Sequence, residues 1–240
     1  MIMRLLNLFL SGNLIFGVGS AVAQSSAGHQ LKGELLFENS FADGTAMQGW
    51  RMEGEATIEH KDGWMHIQSP SEAGHHVFWC PEVFPTDFVA EWEVQNRHPE
   101  AGLCILFFSA AGLNGEALFH PALKPRSGIF EQYTKGDINN YHISYYANTP
   151  TQKDRPFSHL RKNKGFKKVQ VGKPGIPSAS TTVHKLRLIK HRGRIQLFLD
   201  DRSIIDWTDD NPLGVGMIGF RQMKWTQFAY RNFKVWSVKE

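Results

Sequence analysis

The sequence has little cysteine and no long uninterrupted hydrophobic run. Cys80 and Cys104 are its only two cysteines in 240 residues. Neither sits in the CxxC or Cys/His spacing of a metal site, so no metal is expected. An oxidising compartment would permit a bridge between them, but two small buried hydrophobes on neighbouring strands is the plainer reading. No apolar stretch reaches the roughly 20 residues that a membrane-spanning helix needs. Also missing are a GxSxG motif, a P-loop, a dinucleotide fingerprint and any nucleic-acid recognition motif. No cofactor, nucleic-acid partner or membrane span is therefore expected. The chain has no internal repeat, low-complexity tract or inter-domain linker.

What is present begins with a leader. Arg4 supplies a positive charge, and residues 5–18 are apolar except where Asn7, Ser11, Gly12, Asn13 and Gly17 interrupt them. Ala21-Val22-Ala23 follows as a small-x-small cleavage signature. Residues 1–23 are expected to be a signal peptide, and residues 24–240 a single periplasmic or extracellular domain.

The rest reads as short strands with turns. Residues 56–60 and 64–68 flank Lys61-Asp62-Gly63, and Asp-Gly between alternating runs is a strong hairpin signal. Over residues 88–95, Phe88, Ala90, Trp92 and Val94 point one way, while Val89, Glu91, Glu93 and Gln95 point the other. Residues 103–108 are continuously apolar, as in a strand covered on both faces. Residues 185–190, 194–200 and 203–207 form a meander, and residues 216–221 and 228–238 add two more strands. The expected fold is all-β: a two-sheet antiparallel sandwich or jelly roll with little helix.

Two segments do not fit the meander. Residues 109–134 are rich in Gly and Pro. Residues 147–182 carry eight lysines and arginines against Asp154 alone, which leaves the remainder of the mature chain net acidic. Phe157, Leu160 and Phe166, interleaved with these charges, tie the basic segment to the body. A basic segment on an acidic body suits an anionic partner, and in an exported protein an acidic polysaccharide bearing uronates or sulfates fits best.

Chemistry-bearing residues concentrate between Tyr133 and Tyr146. Simple alternation over the strand there places Tyr141, Ile143 and Tyr145 on one face and His142, Ser144 and Tyr146 on the other. A face of His, Ser and Tyr suits sugar binding, although a solvated outer face has the same pattern. Gly136-Asp137-Ile138-Asn139, His142, Ser144-Tyr145, Leu160-Arg161-Lys162-Asn163 and Gly165-Phe166 resemble the motifs of the YesU-like family of bacterial proteins, a domain of unknown function. The similarity runs from the His75–Trp79 strand to Phe233–Trp236. It implies a concanavalin A-like lectin/glucanase sandwich and a part in bacterial polysaccharide use. The family's characteristic residues map to Asp137, Asn139, His142, Tyr145, Arg161, Lys162 and Asn163.

Two classes of function follow: a carbohydrate-active enzyme, either a polysaccharide lyase or a glycoside hydrolase, or a non-catalytic lectin-like module. For β-elimination, His142 would be the base and Tyr146 the acid, or the two with roles exchanged, and Arg161 or Asn163 would neutralise the carboxylate. Tyr133, Asp137, Asn139, Lys162, Asn163 and Trp79 are the candidate binding residues, although a tryptophan such as Trp79 more often packs in a core. Hydrolysis would instead enlist Glu91, Glu93 or Asp137, since it needs two suitably spaced carboxylates. Asp209-Asp210-Asn211-Pro212 lacks the Gly and distal Glu of a calcium loop and reads as a turn.

Overall fold

The computed structural model describes residues 30–71, 75–99, 102–223 and 225–239; the expected signal peptide lies outside them. Two antiparallel sheets face each other. Sheet A runs in the order β13 (Arg202–Thr208), β12 (Arg194–Leu199), β11 (Val183–His191), β6 (Phe88–Asn96), β15 (Gln227–Val238), β4 (Trp64–Gln68) and β3 (Thr57–Lys61), with β1 (Lys32–Asn39) also pairing with β15. Sheet B runs in the order β10 (Lys167–Val171), β9 (His159–Asn163), β8 (Ile138–Asn148), β7 (Gly102–Gly112), β14 (Gly216–Met223), β5 (His75–Phe84) and β2 (Arg51–Gly54). Helix is confined, among the described residues, to a 3₁₀ turn over Gly44–Met47 and to α1 (Phe130–Thr134).

Period-two side-chain alternation builds the core. Phe88, Ala90, Trp92 and Val94 of β6 meet Leu106 and Phe108 of β7, Ile143 of β8 and Phe220 of β14. Trp92 and Phe220 pack edge to face with centroids 6.0 Å apart, across the two sheets. Cys80 and Cys104 are buried free thiols in this layer. They lie on β5 and β7, which β14 separates, so they are not on neighbouring strands.

A second apolar layer lies outside sheet B. The connection from β7 to β8 crosses that face as a strap, packing Leu118, Phe119, Leu123, Phe130 and Tyr133 onto Val77, Trp79, Ile105 and Phe107. This covers β7 on both sides, as its continuous apolar run requires. Gly128 lets the strap lie close: its φ is +89°, and a Cβ there would fall 2.2 Å from the His75 carbonyl oxygen. The Asp137 carboxylate accepts from Lys124 N–H at 2.7 Å and pins the far end of the strap.

The basic segment, expected as a long loop, contains β9 and β10, which close one side of sheet B with β10 at the edge. Lysines on the exposed edge strand β10 discourage pairing with other chains. Glu91 and Glu93 lie on the outer face of sheet A, whereas the face carrying His142 belongs to sheet B. Glu91 is clamped by Lys32 at 2.8 Å and Lys185 at 3.0 Å, and Arg231 holds Glu93 at 2.5 Å. They therefore share no site with His142.

Candidate functional site

Strand pairing assembles the outer face of sheet B in rows. Arg161 of β9, His142 of β8 and Phe107 of β7 are successive register partners, and Gly219 and Trp79 continue the row. The next row runs through His159, Ser144, Ile105, Arg221 and Val77. His142 thus lies between Arg161 and the apolar layer. Its ring is wedged among Phe107, Phe130 and Phe166, with centroids 5.3, 5.7 and 5.9 Å away, and only 2 % of the residue remains exposed.

Burial drives the His142 pKa well below the ordinary histidine value, and the nearby charges of Arg161, Arg221 and His159 add to the shift. A hydrogen-bond chain assigns its tautomer. The Tyr133 carbonyl can only accept, so Asn140 presents Nδ2 to it at 2.8 Å and turns Oδ1 toward Asn163. Asn163 must answer with Nδ2, at 2.7 Å, and the same nitrogen lies 2.9 Å from His142 Nδ1. His142 Nδ1 is therefore an acceptor, and the ring proton sits on Nε2. Asn163 is itself 1 % exposed, and its Oδ1 finds no donor among the described residues.

Arginines on this face are held by carbonyl oxygens and hydroxyls. Arg161 stacks on Phe166 with its guanidinium carbon 3.7 Å from the ring centroid, and its Nη1 donates to the Phe166 carbonyl at 2.9 Å. Arg155 donates to the Ser144 carbonyl and hydroxyl at 2.9 and 2.6 Å. Arg221 is fully buried and donates to the Gly128 carbonyl at 2.8 Å. Burial lowers the pKa of both Arg155 and Arg221 to about 10. No described carboxylate pairs with any of the three.

Where β8 begins and β9 ends, the rim holds a pocket of about 340 Å³, lined by Asn139, Lys162, Asn163, Lys164, Lys167 and the Asn211–Leu213 turn. Lys162 is anchored by the Asp209 carboxylate at 2.7 Å and the Asn211 carbonyl at 2.6 Å. Asp209 also accepts from the Tyr141 hydroxyl. Lys164 and Lys167 pair with no described carboxylate, so the pocket keeps a positive surplus.

The sequence candidates divide accordingly. Asn139, Lys162 and Asn163 share the rim pocket, while His142 and Arg161 adjoin Asn163 on the sheet. Tyr146 is corrected: a bulge between its pair with Cys104 and the next pair, Ser144 with Ile105, breaks the alternation. Tyr145 and Tyr146 both enter the inner core, where the Tyr146 ring packs 5.0 Å from Phe228 and its hydroxyl accepts from Asn96 Nδ2 at 3.0 Å. Trp79 is also corrected, being fully buried, with its indole N–H given to Glu53 at 2.8 Å. Tyr133 is buried beneath the strap, and its hydroxyl accepts from Gly128 N–H at 3.0 Å. Asp137 fastens the strap. Sequence reasoning gave Lys164, Lys167 and Arg221 no site role, and it read Asp209 and Asn211 only as part of a turn. An arginine directly after the apolar run of residues 217–220 in β14 was the one available signal for Arg221.

The family model described as a domain of unknown function, DUF1961, matches residues 34–235. The chain belongs to the DUF1961 family. A curated member, the uncharacterized protein YesU of Bacillus subtilis strain 168, is 36 % identical over 213 residues, covering 85 % of this chain and 96 % of YesU. A Bacillus subtilis protein of unknown function with a galectin-like fold superposes with a TM-score of 0.82 at 34 % identity, covering 86 % of this chain and 97 % of that one. Two more distant structures share the fold. A carbohydrate-binding module from Bacillus subtilis gives a TM-score of 0.52 at 16 % identity, over 79 % of this chain and 96 % of its own. The exoplasmic/lumenal domain of VIP36, with Ca2+ and mannose bound, gives 0.58 at 12 % identity, over 86 % and 93 %.

Proposed function

We propose that this DUF1961 protein is exported and recognises an acidic saccharide, bearing uronate or sulfate groups, at the lysine-lined rim of sheet B. The observation that carries the reading is the rim pocket. Lys164 and Lys167 offer charge without a carboxylate to neutralise it, and Asn139 and Asn211 line the same pocket. A saccharide supplies both complements. Its carboxylate or sulfate would bind the ammonium groups, and its hydroxyls would pair with the asparagine amides. The carbohydrate-binding module and the mannose-bound VIP36 domain among the fold neighbours support a saccharide over other anions.

Recognition is favoured over β-elimination by the chemistry of His142. A base needs a free lone pair facing the substrate, but the His142 lone pair at Nδ1 accepts from Asn163. The expected acid, Tyr146, lies between the sheets. Hydrolysis through Glu91 and Glu93 would require the opposite face of the molecule, where both carboxylates are tied to cations.

The test is affinity electrophoresis of the mature protein in gels containing polygalacturonate, chondroitin sulfate or dextran, with absorbance of unsaturated uronate followed in parallel. Retardation is expected by an acidic polymer and not by dextran. Lys164→Ala with Lys167→Ala should weaken it at least about tenfold, because each lost charge-assisted bond is worth about 1.5–3 kcal/mol. Equal retardation by dextran, an unaffected double variant, or unsaturated product would each overturn the reading. Mass spectrometry of secreted material should give an N-terminus at Gln24; an uncleaved leader would refute export by this route.

A further inference from the structure

A separate cluster sits at the other end of the sandwich. β12 starts beside Gly193, whose carbonyl accepts from Asp209 N–H near the rim pocket, and runs six residues to the Asp200 turn. That length is about 20 Å. At this far end His184, the second residue of β11, stands between the Asp200 carboxylate and the hydroxyls of Ser180 and, at 3.4 Å, Thr182. Its Nδ1 is 2.5 Å from Asp200 Oδ2, and its Nε2 is 2.7 Å from Ser180 Oγ. A carboxylate accepts at Nδ1, so the hydrogen lies there and Nε2 keeps its lone pair toward the serine hydroxyl. Nucleophile, base and orienting acid follow in hydrogen-bonded order.

The parts are held in place. Asp200 Oδ1 accepts from Lys185 N–H at 2.8 Å, and Asp200 N–H donates to the Lys185 carbonyl at 2.9 Å, which fixes the carboxylate against β11. The serine segment is tied on both sides: Ser180 N–H donates to the Pro177 carbonyl at 3.0 Å, and Gln95 Nε2 donates to the Thr181 carbonyl at 2.7 Å. The Thr181 N–H, next to the serine, donates to no described residue. Asp200 also lines a groove of about 790 Å³ with Gln170, Gly172, Lys173 and Ile204.

We propose that Ser180 and His184, positioned by Asp200, form a hydrolytic site for small carboxylic esters such as O-acetyl groups. In the first half-reaction Ser180 Oγ attacks the carbonyl carbon and its proton passes to His184 Nε2. Collapse of the tetrahedral adduct breaks the C–O bond, and that proton goes to the leaving alkoxide, giving an alcohol and acyl-Ser180. Water then attacks the acyl group with proton transfer through the same Nε2, releasing the carboxylic acid and restoring the serine. Ester and water become acid and alcohol with no other reactant. A small acyl group suits a serine on an open segment, where Ser180 is flanked by exposed Ala179 and Thr181.

The experiment is hydrolysis of p-nitrophenyl acetate, with fluorophosphonate labelling and peptide mapping of the adduct. Wild type should outpace buffer and carry one adduct on Ser180. Ser180→Ala and His184→Ala should each lose at least about 100-fold in rate, with unchanged melting and unchanged retardation in the acidic-polymer gels. Asp200→Asn should lower kcat with little change in KM, and Asp200→Glu should restore part of it, which a merely structural role would not produce. Turnover no faster than buffer, full activity in Ser180→Ala, or a label on Thr182, whose hydroxyl lies 3.1 Å from that of Ser180, would overturn the assignment.

Discussion

Asn163 serves two neighbours through one nitrogen, and its removal would strand both. Asn163→Ala would leave Asn140 Oδ1 and His142 Nδ1 buried without a donor, at a cost of about 1–3 kcal/mol for an unsatisfied group. Urea denaturation should show that loss, and nitrogen NMR of His142 should show the tautomer preference weakened; an unchanged midpoint would discredit the hydrogen-bond chain. Tyr146→Phe removes a hydroxyl that bonds Asn96 between the sheets, so about 1 kcal/mol of stability should go while saccharide binding stays intact. Lost binding with normal stability would return Tyr146 to the site. These two residues also mark what the sequence could reveal. His142, Arg161 and Asn163 were legible as one cluster because their motifs lie on strands that pair. Tyr146 was not, because one bulged residue shifts every later side chain to the other face and leaves no mark in the alternation of residue types.

At the level of elements, strands with a strict period of two were plain in the sequence, and the hairpin at Lys61-Asp62-Gly63 sits where Asp-Gly places it. β9 and β10 were read as loop because they carry charge where central strands carry Val and Ile. The strap was recognised as irregular, but its apolar side chains gave no indication of which face they would cover. Gly128 tests its attachment. Gly128→Ala would put a side chain at positive φ and against the His75 carbonyl, a strain of roughly 1–3 kcal/mol. Limited proteolysis should then cut within residues 113–137 well before the sheets unfold, whereas wild-type resistance in the variant would mean the strap is held from elsewhere.

For the whole molecule, pH is the variable to which the fold should respond most. Burial lowers His76 to about 3 and, with help from Arg155, Arg161 and Lys168, His159 to about 4; His142 is held well below its usual value. Below pH 6.5 the unfolded chain takes up protons that the folded chain refuses. Stability is therefore full above that pH and is lost as pH falls toward the folded values, by about 1.4 kcal/mol per pH unit for each proton. The melting temperature should drop between pH 6.5 and 4.5, and His76→Gln should flatten the slope by close to one proton; a level profile in wild type would contradict it. One topological feature bears on the chain before it is folded. β15 lies between β6 and β4 and also carries β1, so sheet A lacks its centre until residues 227–238 have left the ribosome. A nascent chain shorter than this has no partner for its first strand and cannot close the sandwich. Synthesis order thus delays collapse, leaving the polypeptide threadable for the interval in which an unfolded-chain translocation channel could accept it.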